Sequence, residues 1–193
     1  FPAMIRDWRR VFGQGELSFY WVQLANFMGC REMPAESNWA ELREAQRLTL
    51  DRIGHGDMAV IIDIGEAEDI HPKNKQDVGR RLALCALAQD YGRADVAASG
   101  PMPRRALARG GRVLVRFQSD AGGLALRGGD RLEGFALAGA DRVFHWAEAT
   151  IEGRDAVVLR ADAVPEPRWI RYAWADNPRA NLVGGNGLPA SPF

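Results

Sequence analysis

The sequence predicts an α/β fold for residues 1–98, a parallel sheet covered by helices, followed over residues 99–193 by a β-rich, antiparallel, sandwich-like region. Segments with helical spacing alternate with apolar strand-like runs in the first part, and this order produces a parallel sheet with helices on its faces. The second part consists of short alternating runs separated by glycine-rich turns, as in antiparallel hairpins. Ser99, Gly100 and Pro101 mark the break between the two parts.

Helices are predicted in the first part from apolar spacing and from cap residues. Ile5, Trp8 and Phe12 recur every three to four residues, which is typical of one helix face. Asn38, followed three residues later by Glu41, resembles a capping box. Asn74 with Asp77 resembles another helix cap. These signals place helices over residues 2–12, 38–53 and 76–91.

Strands are predicted between these helices and throughout the second part. Residues 17–25 are rich in aromatic and branched side chains, and residues 58–64 form the apolar run typical of a buried parallel strand. The shorter runs of the second part alternate apolar with polar residues, which favours strands with one buried face. They cover residues 113–117, 124–126, 132–138, 143–151, 156–160 and 170–174.

Composition argues against several classes of protein. Twenty-five basic residues balance 25 acidic ones, so charge gives no reason to expect a nucleic-acid or membrane-surface partner. No apolar run approaches the ~20 residues of a membrane span. Three dispersed histidines and two distant cysteines lack metal-ligand spacing, so we expect neither a metal nor another cofactor. Cys30 and Cys85 are interpreted as unpaired thiols.

A histidine with several carboxylates nearby occupies the turn between the second predicted strand and the third helix. The turn covers residues 65–75, so His71 is expected at the carboxyl end of a strand, where catalytic loops gather in open α/β sheets. Ester hydrolysis by a serine enzyme needs a neutral imidazole as base and a carboxylate that fixes its tautomer. His71 is the candidate base, and Asp69 and Glu68 are the candidate carboxylates.

This turn and several other segments resemble one family. The string Asp-Ile-His-Pro-Lys-Asn-Lys-Gln-Asp-Val-Gly over residues 69–79 is similar to the C-terminal catalytic block of the sialate O-acetylesterases, carbohydrate esterases of the SGNH-hydrolase type. Further similar strings occur in the expected order over residues 1–9, 22–27, 39–46 and 171–178, and the ending over residues 187–193 is also typical of the family.

The resemblance implies a carbohydrate O-acetylesterase that removes acetyl groups from sialic acid or an acetylated polysaccharide through an acyl-enzyme. Its Asp-Ile-His-Pro motif selects Asp69 as the partner of His71, whereas the three-residue spacing usual in SGNH enzymes selects Glu68. Gln23 and Asn26, at another predicted strand end, are candidates for binding sugar hydroxyls or, equally, for satisfying loop backbone groups. Secreted, periplasmic or lysosomal placement is usual in the family.

The nucleophile that the family requires is missing from these 193 residues. In the family, the serine lies upstream in a Gly-x-Ser-Asn-Met-like turn, and no serine here sits in a strand-turn-helix elbow. We therefore expect the C-terminal part of an esterase, inactive alone, whose partners are the upstream half and an O-acetylated sugar. The serines are Ser18, Ser37, Ser99, Ser119 and Ser191.

A rival interpretation is a non-catalytic carbohydrate-binding or accessory fragment. In that case the second part would hold sugar on exposed tryptophans, and no serine would ever complete a triad. The candidate tryptophans are Trp146, Trp169 and Trp174.

Overall fold

Helices and parallel strands make up the first part of the chain, as predicted. The computed structural model describes residues 1–118 and 122–193. The elements of the first part are α1 (Pro2–Phe12), β1 (Phe19–Val22), α2 (Asn38–Arg47), a 3-10 helix (Leu50–Arg52), β2 (Gly56–Ala59) and α3 (Lys75–Gln89).

The parallel pairing of β1 with β2 confirms the α/β prediction in part. Phe19 lies opposite Gly56, and Val22 lies opposite Ala59. Both strands are shorter than predicted, because in the part of the chain that the structure describes each has only the other as a partner. Residues 60–62 continue the buried apolar run without strand pairing. A larger parallel sheet is therefore not present among the described residues.

The helix boundaries correct one cap and confirm another. The Oγ atom of Ser37, not a side chain of Asn38, accepts the capping hydrogen bond of α2 from the backbone of Ala40, at 3.0 Å, so the predicted cap was one residue too late. Asn74 caps α3 as expected, accepting from the backbone N–H of Asp77 at 3.1 Å. The second predicted helix also ends early and continues as the 3-10 turn.

The second part is antiparallel throughout its described residues, as predicted. The strands are β3 (Met102–Arg109), β4 (Arg112–Gln118), β5 (Leu124–Leu126), β6 (Phe135–Ala138), β7 (His145–Trp146), β8 (Glu148–Glu152), β9 (Ala156–Arg160), β10 (Trp169–Tyr172) and β11 (Leu182–Gly184). They form sheets with the strand orders β3-β4-β9-β8, β10-β6-β7 and β11-β5.

Two strands were not predicted, and one predicted strand is divided into two in the structure. The edge strand β3 was missed because it contains Pro103 and three arginines, and its side chains are mostly exposed. The strand β11 was also missed. The run predicted over residues 143–151 divides at Ala147, where the chain passes from pairing with β6 to pairing with β9.

One hydrophobic cluster joins residues from both parts of the chain. Trp21, Met58 and Ile62 from the first part pack in the same core as Val115 and Leu159 from the second. The predicted division at residues 98 and 99 stays a prediction, but the two parts do not have separate cores.

The last residues of the chain complete this core. The ring of Phe193 lies 6.0 Å from that of Phe117 and 6.0 Å from that of Tyr172. The backbones of Tyr172 and Phe193 also exchange hydrogen bonds of 2.8 and 3.2 Å. Gly100 packs directly against the backbone of Pro189. The junction between the two parts of the chain is therefore covered by the C-terminal segment.

We predict opposite effects for two glycine-to-alanine substitutions. A Cβ atom at Gly100 would lie 2.2 Å from the carbonyl oxygen of Pro189, so Gly100→Ala should lower the free energy of unfolding by about 1–3 kcal/mol. Gly79 lies within α3 with no heavy atom within 4 Å of its added methyl, so Gly79→Ala should raise it by about 0.5–1 kcal/mol. Urea unfolding of both variants measures the difference, and equal effects would contradict the backbone contact.

Candidate active site

His71 lies at the tip of an exposed turn with Asp69 beside it. Its side chain is 83% exposed, and its Nδ1 atom lies 3.4 Å from Oδ1 of Asp69. The backbone N–H of His71 donates to the same oxygen at 2.9 Å. This backbone hydrogen bond is the main reason that the pKa of Asp69 lies below its usual value. The carboxylate is thus held ionised next to the imidazole nitrogen that it would have to orient.

Glu68, the alternative carboxylate, does not have this geometry. Its side chain is exposed, and no hydrogen bond or ion pair joins it to His71 among residues 1–118 and 122–193. The roles of Asp69 and Glu68 in catalysis stay predictions, but only Asp69 contacts His71 in this arrangement.

An ion pair closes the base of the turn. Nζ of Lys73 lies 2.8 Å from Oε2 of Glu66, and the backbone N–H of Lys73 donates to Oε1 of Glu66 at 3.3 Å. Asn74 then starts α3, and its Nδ2 atom donates to Asp77 at 2.8 Å. The turn between Glu66 and Lys73 is therefore fixed at both ends, while His71 at its tip stays open.

Asn26 connects this turn to two other loops. Its Oδ1 atom accepts from the backbone N–H of Gly65 at 2.7 Å, and its Nδ2 atom donates to Oδ1 of Asn177 at 2.9 Å. A Cβ atom at Gly65 would lie 2.1 Å from the carbonyl oxygen of Asn26, so only glycine allows this approach. In this structure Asn26 bonds loop groups, which is the second of the two roles considered for it, and sugar binding stays a prediction.

Met28 ties the same loops together through an unusual backbone. Its φ angle is 70°, in the left-handed region that residues other than glycine seldom adopt. In this conformation its N–H donates to the carbonyl oxygen of Ala67 at 3.0 Å, and its own carbonyl oxygen accepts from Nδ2 of Asn177 at 2.7 Å. The strand-end loop therefore supports the His71 turn on one side and the loop at Asn177 on the other.

The side chain of Gln23 is buried in the interior of the chain. Its side chain is 0% exposed, and its Nε2 atom donates to the carbonyl oxygen of Arg43 at 3.1 Å. Its Oε1 atom is buried and has no hydrogen-bond partner among the described residues. The predicted role of Gln23 in binding a sugar stays a prediction, and in this structure no solvent reaches the side chain.

Arg43 joins two distant segments of the chain, and the sequence did not predict this role. The structure buries its side chain completely among backbone carbonyl groups. Burial lowers the pKa of Arg43 to about 10, and the nearby charge of Asp176 opposes that effect. The guanidinium donates to the carbonyl oxygens of Leu24 (2.8 Å), Ala25 (2.7 Å), Ala175 (2.6 Å) and Asp176 (2.8 Å).

Asp176 extends this network to the start of α2. Its Oδ1 atom accepts from the hydroxyl of Ser37 at 2.6 Å, and its Oδ2 atom lies 3.8 Å from Arg31. Ser37 therefore caps α2 and also anchors the loop that contains Asp176. The signal for this network in the sequence was that residues 22–27, 39–46 and 171–178 all belong to the strings that resemble the family.

Asp63 at the end of the buried apolar run has a structural ion pair. It accepts from both terminal nitrogens of Arg81, at 2.5 and 2.9 Å, and also from Arg127. Burial alone would raise the pKa of Asp63, but the hydrogen bonds from Arg81 and Arg127 outweigh it, and the pKa lies below its usual value. These partners occupy the carboxylate, so it has no contact with His71.

Three of the four described serines are bonded or buried elsewhere, and Ser99 lies in the loop that follows α3. Ser18 donates to Asp90 at 2.6 Å, Ser37 caps α2, and Ser191 is buried. No hydrogen bond joins any serine of residues 1–118 and 122–193 to His71, and Ser119 lies outside the described residues.

The remaining expectations concern thiols, metals and membranes. Cys30 and Cys85 are both free, and burial raises the pKa of the Cys85 thiol to about 12. Within residues 1–118 and 122–193, no group of three or more His, Cys, Asp or Glu side chains is placed to hold a metal ion. None of the described helices combines the length and apolar character needed to cross a membrane.

Comparisons with known proteins agree with the resemblance seen in the sequence. No protein-family model matches the chain. Sialate O-acetylesterases from Mus musculus and Homo sapiens are 30% and 29% identical to it over 119 residues, which are 54% of this chain and 22% and 23% of those proteins. A crystal structure of a carbohydrate acetylesterase from Xanthomonas citri matches 100% of this chain at 47% identity, with a TM-score of 0.93, and 44% of that chain is covered.

These similarities confirm the resemblance to the sialate O-acetylesterases. The chain spans less than a quarter of the curated relatives and less than half of the matched structure. All of these proteins are named as esterases, so the chain is similar to hydrolases of the esterase kind.

We expect Arg43→Lys to destabilise the chain far more than Arg47→Lys in the same helix. Lysine cannot reach the four carbonyl groups that Arg43 bonds, and leaving some of them buried without a donor should lower the free energy of unfolding by about 2–4 kcal/mol. Among the described residues the Arg47 side chain is hydrogen-bonded to Glu44 alone, so its replacement should cost less than about 1 kcal/mol. Urea unfolding measures the free energy of unfolding of both variants. Similar decreases for Arg43→Lys and Arg47→Lys would show that the buried hydrogen bonds of Arg43 add little to stability.

Proposed function

We propose that this chain is the C-terminal part of an SGNH-type carbohydrate O-acetylesterase, in which His71 is the catalytic base and Asp69 orients it. The observation that carries the proposal is the contact between Asp69 and His71, with a 3.4 Å approach to Nδ1 and a 2.9 Å backbone hydrogen bond to the same oxygen. The whole-chain similarity to a carbohydrate acetylesterase supports the same class of substrate, an O-acetylated sugar or polysaccharide.

The geometry assigns a role to each imidazole nitrogen. Because Nδ1 faces Asp69, the carboxylate can accept a hydrogen bond from Nδ1–H, which keeps the proton on Nδ1 and leaves Nε2 unprotonated. Nε2 then takes the proton of a serine hydroxyl as the serine oxygen attacks the acetyl carbonyl carbon. The ester bond breaks, Nε2 returns the proton to the sugar oxygen, and an acetyl-serine remains. Water, deprotonated by the same nitrogen, releases acetate and restores the serine.

In this proposal the serine comes from an upstream part of the same protein. Two surfaces of the chain support such a partner. The helix α1 exposes an apolar stripe formed by Met4, Trp8, Val11 and Phe12, which are 39–64% exposed. The two-stranded parallel sheet has unpaired edges in the described structure, and edges of this kind add further strands readily.

A carbohydrate-binding fragment is the second candidate, and one observation favours it. Trp146 is 43% exposed and lies in the wall of a groove of about 870 Å³ between the loop at residues 31–33 and the second part of the chain. An exposed indole ring is a common platform for a sugar ring. Trp174 also lines this groove, but its ring is partly covered by Arg171, 4.7 Å away.

The deciding experiment replaces the matched region of the Xanthomonas citri carbohydrate acetylesterase with this chain and measures steady-state hydrolysis of an O-acetylated carbohydrate that the parent enzyme accepts. In that protein His71→Ala should lower kcat by about 10³-fold or more with little change in KM, because a base acts on the transition state. Asp69→Asn should cost about as much by favouring the wrong tautomer, whereas Glu68→Gln should stay within about tenfold of the parent.

The two carboxylate variants give opposite forecasts. If Glu68→Gln is crippled while Asp69→Asn is nearly normal, the three-residue spacing holds and the assignment to Asp69 is wrong. If His71→Ala retains full activity, the proposed function itself fails.

The chain alone should not turn over an activated ester. Because no serine is placed beside His71 among the described residues, hydrolysis of 4-nitrophenyl acetate should not exceed the slow rate expected of a free imidazole. The His71→Ala chain is the matched control and should remove most of that residual rate. A kinetic burst together with an acetyl group on any serine, detected by mass spectrometry, would overturn this expectation.

A further inference from the structure

A groove away from the His71 turn is lined by an excess of positive charge. It has a volume of about 890 Å³ and lies between α2, the 3-10 helix, β3 and β10. Two acidic residues, Glu44 and Asp51, line it, against six arginines. None of the residues of the His71 turn is among its lining residues. The arginines are Arg47, Arg104, Arg105, Arg142, Arg168 and Arg171.

Only two of these arginines have an acidic partner among residues 1–118 and 122–193. Arg47 is paired with Glu44 at 2.7 Å, and Arg171 is paired with Glu36 at 3.0 Å. In the part of the chain that the structure describes, the guanidinium groups of Arg104, Arg105, Arg142 and Arg168 make no hydrogen bond or ion pair. The lining of the groove therefore has a positive excess although the chain as a whole has no net charge.

Two backbone irregularities bring arginines to the groove. Successive residues of a regular strand lie on opposite faces, yet Arg104 and Arg105 both line the same groove. The register of β3 shifts between Pro103 and Arg105, and a bulge of this kind re-aims side chains. Arg142 has a φ angle of 61°, and its guanidinium lies 4.5 Å above the ring of Trp169. Unusual backbone conformations of this kind concentrate at ligand-binding sites.

The lining suits a carboxylated sugar. Guanidinium groups bind carboxylates through paired hydrogen bonds, and neighbouring unpaired arginines repel one another until an anion binds. Trp169 is 44% exposed beside these arginines, so its ring offers an apolar surface to a sugar ring, whereas the ring of Phe144 is covered by Arg171 at 3.9 Å. Nucleic-acid surfaces extend positive charge along a phosphate backbone, whereas these arginines converge on one groove.

We infer that this groove binds the carboxylate groups of an acidic polysaccharide, at a site separate from the ester-hydrolysing turn. The inference goes beyond the proposed function and does not depend on it, because binding can be measured without hydrolysis.

The test is the binding of trigalacturonate to the purified chain, measured by calorimetry, with the carboxyl-reduced trisaccharide as the matched ligand. The reduced sugar should bind at least about tenfold more weakly, since it cannot form charge-assisted hydrogen bonds. The double variant Arg104→Gln/Arg168→Gln should lose affinity by a similar factor. Arg109→Gln, on the same strand but outside the groove, should stay within about twofold.

Several results would overturn the inference. Equal affinity for the two trisaccharides would mean that carboxylates are not recognised, and undetectable binding of both would mean that the groove holds no such ligand. Equal losses for the double variant and for Arg109→Gln would place binding elsewhere. Tighter binding of a single-stranded DNA oligonucleotide than of trigalacturonate, at about 200 mM salt, would identify a nucleic-acid surface instead. Circular dichroism of each variant verifies that it is folded.

Discussion

The buried guanidinium of Arg43 is the interaction on which the arrangement of the candidate site depends. A charge without solvent is stable only where hydrogen bonds compensate for its lost hydration, and here four carbonyl groups do so. Two of them follow β1, and two belong to a loop more than 130 residues later. The same side chain therefore fixes the distance between the end of β1 and the second part of the chain. The loops around the His71 turn are attached to these two segments, so their positions depend on this distance.

The turn itself combines a rigid base with an open tip. Asn26, Gly65 and Met28 link its first residues to neighbouring loops, and the pair between Lys73 and Glu66 closes it. His71 is held by contact with Asp69 while remaining exposed. Such an arrangement suits a base that must meet a nucleophile from another segment, because its own partner is in place before the nucleophile arrives.

Local signals predicted much of this structure, and the failures have physical causes. Apolar spacing located α1, and the cap at Asn74 located the start of α3, while the contact of Asp69 with His71 leaves their catalytic roles as predictions. Strand ends were less predictable, since they depend on where a neighbour stops pairing. The edge strand β3 lacks the apolar alternation by which buried strands are recognised. The role of Arg43 was not predicted because two of its partners lie more than 130 residues away in the sequence, and local sequence patterns do not predict contacts at such a separation.

The distance between Arg43 and Ala175 also affects how the protein is made. The two are separated by 132 residues. At about 5–20 residues per second, a ribosome needs roughly 7–26 s to synthesise that interval. During this time the guanidinium is hydrated, and Trp21 and Met58 lack the later strands that cover them. Nascent chains of this protein therefore expose this apolar surface until the later strands have been synthesised.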